Sequence, residues 1–221
     1  MVETNLHNVL LDYIRNELNN PKIKYKEKPT KLAGGLHTGK YVFQLENTPK
    51  HLRNPLVIRI FPHSLRSGYA EGEAKVQNAV HSIGYPAPQV FFYTNDKTIL
   101  GGEFTIMEFK QGITLMETGK PDIPETVAVL NKELHELDTE YLMKTLDIPR
   151  GDTSRYSMVD YLEENINKQG YTRLYPALEW LLEHRLEREP VVMCHGDFHQ
   201  GNILWHEGKV SAVLDWGTYR F

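Results

Sequence analysis

Apolar positions fall at helical spacing at the start of the chain, in short runs through its first half, and at helical spacing again in its second. Leu6, Leu10, Ile14 and Leu18 predict an amphipathic helix that stops near Asn20-Pro21. Compact apolar runs at Tyr41 to Leu45 and Leu56 to Phe61 predict strands, and a helix follows from Tyr69 to Ile83, closed by Gly84. Beyond Pro86 and Pro88 come strand-like runs at Val90 to Tyr93 and Phe104 to Glu108. From Pro124 onward helices dominate. Val127, Leu130, Leu134 and Leu137 share one face, Met158, Leu162 and Ile166 another, and Leu174, Leu178 and Leu181 a third. Near the end, Pro190 to Met193 reads as a strand, and Ile203 to Trp205, a polar turn at Glu207-Gly208-Lys209, and Val210 to Leu214 read as a hairpin. The pattern is α+β: a β-rich part, residues 1–109, and a mainly helical part, residues 110–221, joined near Lys110-Gln111-Gly112.

Composition narrows the class. A chain of 221 residues with 40% apolar and 24% charged residues can bury a core in one or two domains. A formal charge of −4 supplies no basic field, so nucleic acid is not an expected partner. The apolar runs are too short to span a membrane, and Met1-Val2-Glu3-Thr4-Asn5 does not read as a secretory leader. The lone Cys194 excludes an internal disulfide and suits a reducing cytoplasm. Beside His195 it could be a nucleophile, but it reads better as a small apolar residue ending a buried strand.

Candidate chemistry concentrates in Cys194-His195-Gly196-Asp197-Phe198-His199-Gln200-Gly201-Asn202-Ile203-Leu204 and in Val213-Leu214-Asp215-Trp216-Gly217. Phosphoryl transfer needs a base near the attacking hydroxyl and oxygen ligands that hold magnesium on nucleotide phosphates. Asp197 suits the base, and Asn202 with Asp215 suits the metal, because magnesium commonly keeps only one or two protein ligands. Other readings exist. A loop Asp can be a turn former, His195 and His199 can be packed core histidines, and Asp197-x-His199 could open a metallophosphoesterase ligand set. That last reading needs ligand loops downstream for which the remaining residues leave no room.

The first half offers partners for such a site. Gly34 and Gly35, between two strand candidates, could bring backbone N–H groups close to phosphates, although a Gly-Gly pair also makes an ordinary hairpin turn. Arg59 interrupts the apolar run Leu56 to Phe61, where a charge needs a partner. On the following helix Tyr69, Glu73, Val76, Val80 and Ile83 form the inward stripe, so Glu73 is the expected partner and Glu71 faces solvent. The alternative is an edge strand with Arg59 in water. Met107, Glu108 and Phe109, leading into the join, could present backbone groups to adenine or be a plain connecting strand.

Together these residues resemble the aminoglycoside phosphotransferase family, which includes choline-kinase-like and other small-molecule kinases. His195 to Leu204 is similar to the family's His-Gly-Asp-x-His-x-Gly-Asn pattern, and Asp215-Trp216-Gly217 to its metal-binding position. Val57-Ile58-Arg59-Ile60, Glu73-Ala74, Gly84-Tyr85-Pro86-Ala87-Pro88, Ile106-Met107-Glu108 and Leu134-His135 fall at matching intervals. The resemblance runs from about Pro29 to Phe221 and implies a protein-kinase-like fold of two lobes, the nucleotide in the first. It implies Asp197 as the base, His195 as a brace for its loop, and magnesium on Asn202 and Asp215. Arg59 backed by Glu73 would lie on phosphates of ATP or GTP under Gly34-Gly35, and His135 would be packing. The acceptor would be a small molecule's hydroxyl: an aminoglycoside, a sugar or an amino alcohol. Family members usually continue for several helices past the metal-binding Asp, whereas this chain stops at Phe221. The chain would then be a shortened piece, a broken gene product, or a protein whose second lobe is completed by a partner chain or by self-association. The rival expectation is a nucleotide-binding regulatory protein with little turnover. Protein kinase activity is disfavoured by the Gly196 and His199 spellings of the loop.

Overall fold

The computed structural model describes residues 3–32, 39–148, 158–185 and 191–221, and only the backbone of Glu3, Thr4, Met158 and Tyr161. By contact the chain forms two compact units, Met1–Lys120 with Gln200–Gly217, and Pro121–His199 with Thr218–Phe221.

The first unit is built on a five-stranded antiparallel sheet in the order β1-β2-β3-β5-β4. Its strands are β1 (Lys24–Lys31), β2 (Gly39–Glu46), β3 (Leu56–Ile60), β4 (Val90–Thr94) and β5 (Phe104–Glu108). Helix α1 (Glu3–Glu17) precedes them, α2 (Tyr69–Ser82) links β3 to β4, and a short α3 (Lys97–Leu100) links β4 to β5. Side chains alternate across a strand, and β3 shows the consequence. Leu56 and Ile58 join Leu10, Ile14, Ile23, Phe43, Leu45, Phe104 and Ile106 in the core under α1. Val57 points the other way, onto Ala74 of α2, Val90 and Met107. Arg59 shares that second face, opposite Thr105 on β5.

Strand β1 is absent from the apolar pattern because it hardly has one. Its sequence is Lys-Tyr-Lys-Glu-Lys-Pro-Thr-Lys, and only Pro29 is buried. It lies at the sheet edge, where lysines and a proline are tolerated and discourage further strand pairing. Arg59, by contrast, sits on a strand flanked by β2 and β5, which removes the alternative of a water-facing edge.

A second antiparallel sheet, order β6-β7-β8, joins β6 (Ile113–Thr114) to the hairpin of β7 (Ile203–His206) and β8 (Lys209–Val213). Glu207 and Gly208 both take positive φ, 47° and 82°, the two-residue turn whose twist matches a hairpin. This hairpin pairs with β6 and so belongs to the first unit, although it lies late in the chain.

The second unit holds α4 (Ile123–His135), α5 (Thr139–Thr145), α6 (Met158–Gln169) and α7 (Tyr175–Glu183). Leu130 and Leu134 of α4, Ile166 of α6 and Leu178 of α7 are buried, in keeping with the helical spacing, as is Leu142 of α5, whereas Leu174, expected on the third face, lies in the turn before α7 and is exposed. The strand expected at Pro190 to Met193 does not form over 191–193. Among the described residues one isolated bridge occurs, Cys194 with Arg220, whose N–H groups donate to each other's carbonyls at 2.8 Å. An apolar run without a neighbouring strand to complete its ladder stays irregular. Among the described residues, no helix is long and apolar enough to cross a membrane.

Leu10 is fully buried beneath the sheet, so Leu10→Ala should cost about 2–5 kcal/mol in urea unfolding. Lys26→Ala on the exposed edge strand should stay within about 0.5 kcal/mol of wild type in the same measurement.

Candidate functional site

The first unit's charged centre is Arg59. Nη1 donates to Glu73 Oε1 in a buried ion pair, and Nη2 donates to Asp215 Oδ1 at 2.8 Å. Its guanidinium also lies 5.0 Å from the centroid of the Phe61 ring. Glu73 is 1% exposed and Arg59 9%, so both charges are removed from water and need each other. Burial pushes the Glu73 carboxyl up to about 7, against the pull of Arg59 and with the Asp215 charge adding to the rise. Glu71 lies on the outer face of α2, bonded to Lys75 and Asn95, as its angular position on the helix requires.

Helix α2 is held at its start by Glu103, which sequence reasoning missed. This carboxylate is 1% exposed and accepts hydrogen bonds from the Gly68 and Ala70 N–H groups, both at 3.0 Å. A carboxylate at a helix N-terminus satisfies orphan donors and complements the dipole. The signal was an acidic residue directly before a buried strand, with no cationic neighbour to explain it.

Asp215 reaches Arg59 from a tight turn after β8. Its φ is +69°, in the left-handed region that Asp tolerates better than most residues. Trp216 anchors the turn: it is fully buried, its Nε1 donates to the Val213 carbonyl at 3.0 Å, and its ring meets Tyr85 edge-on. A Cβ on Gly217 would lie 1.9 Å from the Tyr69 hydroxyl, so any larger residue there would have to displace the Tyr69 ring. The Asn202 carbonyl accepts from the Leu214 N–H at 2.8 Å, which ties the start of β7 to the approach to Asp215.

Asn202, Asp215 and Arg59 line one cleft of about 440 Å³, with Val57, Met107, Leu204 and Leu214 as apolar wall. Such a mixture suits a flat apolar group and a polar tail in one ligand. Glu108 and Phe109 line it too, but their N–H groups donate to the Gln89 and Pro55 carbonyls. From residues 107–109 those two donors are therefore spent inside the fold. Behind Met107, buried Gln77 donates to the Pro88 carbonyl at 2.7 Å and approaches the Met107 sulfur at 3.6 Å. Lys40 of β2 also lines the cleft and was not picked out from sequence. Gly34 and Gly35 lie outside the described residues.

One amide oxygen and one carboxylate suit an ion carried on phosphates, not a cage made by protein alone. No group of three or more His, Cys, Asp or Glu side chains gathers as a metal site among the described residues.

The loop bearing Asp197 belongs to the second unit. His195 is 1% exposed, its Nδ1 accepts from the Asp197 N–H at 3.3 Å, and its carbonyl accepts from Thr218 Oγ1. Gly196 has a φ of +85°, and a Cβ there would lie 2.0 Å from the Thr218 carbonyl oxygen. The loop is thus shaped by a buried imidazole and a close backbone approach. Asp197 and His199 are exposed, 3.7 Å apart at Oδ2 and Nε2. Cys194 is half-buried, its sulfur 4.0 Å from His135 Nε2, and burial pushes its thiol up, which disfavours a thiolate.

The model of the phosphotransferase enzyme family, APH, matches residues 30–221, so the chain belongs to that family. It is 31% identical over 166 residues to acyl-CoA dehydrogenase family member 11 of Rattus norvegicus, a match spanning 67% of this chain and 21% of that protein. It is 27% identical over 195 residues to aminoglycoside 3'-phosphotransferase of Streptomyces fradiae, spanning 81% of this chain and 70% of that protein. The chain thus spans only about a fifth of the acyl-CoA dehydrogenase relatives. Among solved structures, an aminoglycoside phosphotransferase in ternary complex with AMP-PNP and hygromycin B superposes with TM-score 0.65 at 16% identity, covering 95% of this chain and 71% of that one. Plasmodium vivax ethanolamine kinase superposes with TM-score 0.65 at 15% identity, covering 97% and 61%. The fold is α+β and protein-kinase-like.

A Glu73 carboxyl raised from 4.5 to about 7 favours the fold while protonated; that contribution is full below 4.5 and lost as pH rises through about 7. Glu73→Gln cannot titrate, so its stability relative to wild type should climb across that window. Urea unfolding of both proteins at several pH values checks this; a pH-independent difference would show that Arg59 fully offsets burial.

Proposed function

We propose that the chain transfers the γ-phosphate of ATP or GTP to a hydroxyl group of a small molecule. The observation that carries this is Arg59, held by Glu73 and Asp215 in a cleft that also receives Asn202. A planar guanidinium presented in this way grips phosphate oxygens with a fixed fork. Asn202 and Asp215 would hold magnesium, which when bound neutralises charge on the phosphates. Adenine would occupy the apolar wall at Val57, Met107 and Leu204, with Gly34 and Gly35 against the phosphates. With the Glu108 and Phe109 N–H groups spent, groups from Lys110 onward are the candidates for its edge.

Asp197 would take the proton of the acceptor hydroxyl as that oxygen bonds to the γ-phosphorus and the nucleoside diphosphate leaves. His195 would keep the Asp197 loop in shape through the backbone bond already described. Little covalent chemistry falls to the protein, so positioning and charge neutralisation carry the rate. The cytoplasm, where both nucleotide and magnesium are plentiful, is the proposed compartment. The relatives' names suggest an acceptor panel of an aminoglycoside and ethanolamine, to which a sugar is added.

Radiolabelled transfer from γ-labelled ATP across that panel tests the proposal. Asp197→Ala should keep nucleotide binding and lower transfer on the order of 10²–10⁴-fold. Wild-type activity in this variant would remove Asp197 from the reaction. Nucleotide binding without transfer to any acceptor would favour a regulatory protein instead.

Arg59→Ala should weaken magnesium–ATP binding by roughly tenfold or more in calorimetry, as expected on losing a charged hydrogen-bond donor. Unchanged affinity would place the phosphates elsewhere.

A further inference from the structure

Lys40 enters the cleft from β2, directly opposite Arg59 on β3. Its side chain is half-buried, and its ammonium has no ion-pair or hydrogen-bond partner among the described residues. The nearby carboxylates are already engaged, Glu73 by Arg59 Nη1 and Asp215 by Arg59 Nη2. Lys110, which lines the same cleft, differs in being paired with Glu108 at 2.7 Å. Lys40 is thus a cation beside a cation, partly removed from water and without a counter-ion of its own. Burial and the Arg59 charge push its ammonium down, against the opposing pull of Asp215 and Glu73. An anion entering the cleft would reverse the sign of that repulsion.

We propose that Lys40 is a second phosphate ligand of the nucleotide donor, acting beside Arg59 on the polyphosphate chain. The proposal rests on the donor reading above and adds a residue to it. A polyphosphate carries the charge that two adjacent cations call for, and an ammonium serves as a mobile point charge where the guanidinium is a fixed fork. An amine-bearing acceptor such as an aminoglycoside would be repelled from the same spot, so the donor, not the acceptor, is the ligand Lys40 selects. Lys40 also stands at the close of the backbone hydrogen bond from Leu32 N–H to its own carbonyl, 2.9 Å, which fixes where its strand begins.

The test is calorimetric titration of wild type, Lys40→Met and Lys40→Arg with magnesium–ATP and with adenosine, at low and raised salt. Lys40→Met should weaken ATP binding roughly ten- to a hundredfold, the range for a charged hydrogen bond, and leave adenosine binding unchanged. Its ATP affinity should also depend less on salt, and Lys40→Arg should recover most of the loss. Should the Met variant prove insoluble, Lys40→Gln gives the same comparison. Wild-type ATP affinity in Lys40→Met overturns the Lys40 assignment and leaves the donor reading standing. Equal losses for ATP and adenosine overturn it too, because they report a distorted cleft. A wild-type chain that takes up neither magnesium–ATP nor magnesium–GTP, titrated in parallel, overturns the donor reading itself.

Discussion

A guanidinium in the middle of an antiparallel sheet is the constraint around which the first unit is arranged. Arg59 cannot retreat to solvent, since β3 has neighbours on both sides and the helix α2 lies over its face. Removing one partner of a buried ion pair costs about 3–5 kcal/mol, so the fold must deliver carboxylates to it. It does so from positions 14 and 156 residues away along the chain, Glu73 and Asp215. The short-range partner comes from helical periodicity and the long-range one from a hairpin that pairs with β6. The same requirement that keeps Arg59 folded therefore brings the late hairpin to the first unit's cleft.

The turn that carries Asp215 shows how narrowly this delivery is specified. A positive φ at Asp215, a buried tryptophan after it and a glycine pressed against Tyr69 leave little freedom to its carboxylate. The loop of the second unit uses a related device at Gly196, where the Thr218 carbonyl occupies the space of a side chain. In both places the backbone is set first and the acidic side chain inherits its direction.

Much of this was legible in the sequence, for physical reasons. The inward stripe on α2 singled out Glu73 over Glu71 because a helix repeats every 3.6 residues, and a charge in an apolar strand demanded a partner. The hairpin was legible from its polar turn. Strand β1 was not, because an edge strand of lysines carries no apolar alternation. The run before Cys194 misled in the opposite sense: it is apolar enough for a strand but has no neighbour to pair with beyond one bridge. Lys40 and Glu103 escaped notice because each looks unremarkable among its sequence neighbours. Only the register of β2 on β3 and the proximity of Glu103 to the start of α2 give them meaning. The use of the Glu108 and Phe109 N–H groups was likewise invisible, since it depends on which carbonyls the fold brings beside them.

Helix α1 lies wholly ahead of residue 30, where the match to the family begins. Yet Leu6, Leu10 and Ile14 are buried against Phe43, Leu45, Ile58 and Phe104. A fragment trimmed to the family boundary would lose the cover over one whole face of its largest sheet, and with it six of the eight residues of the edge strand. Such a piece should gather into insoluble clumps when expressed, with every residue of the cleft still in place. For this chain, the stretch matched by the family model and the smallest piece able to fold alone begin at different residues.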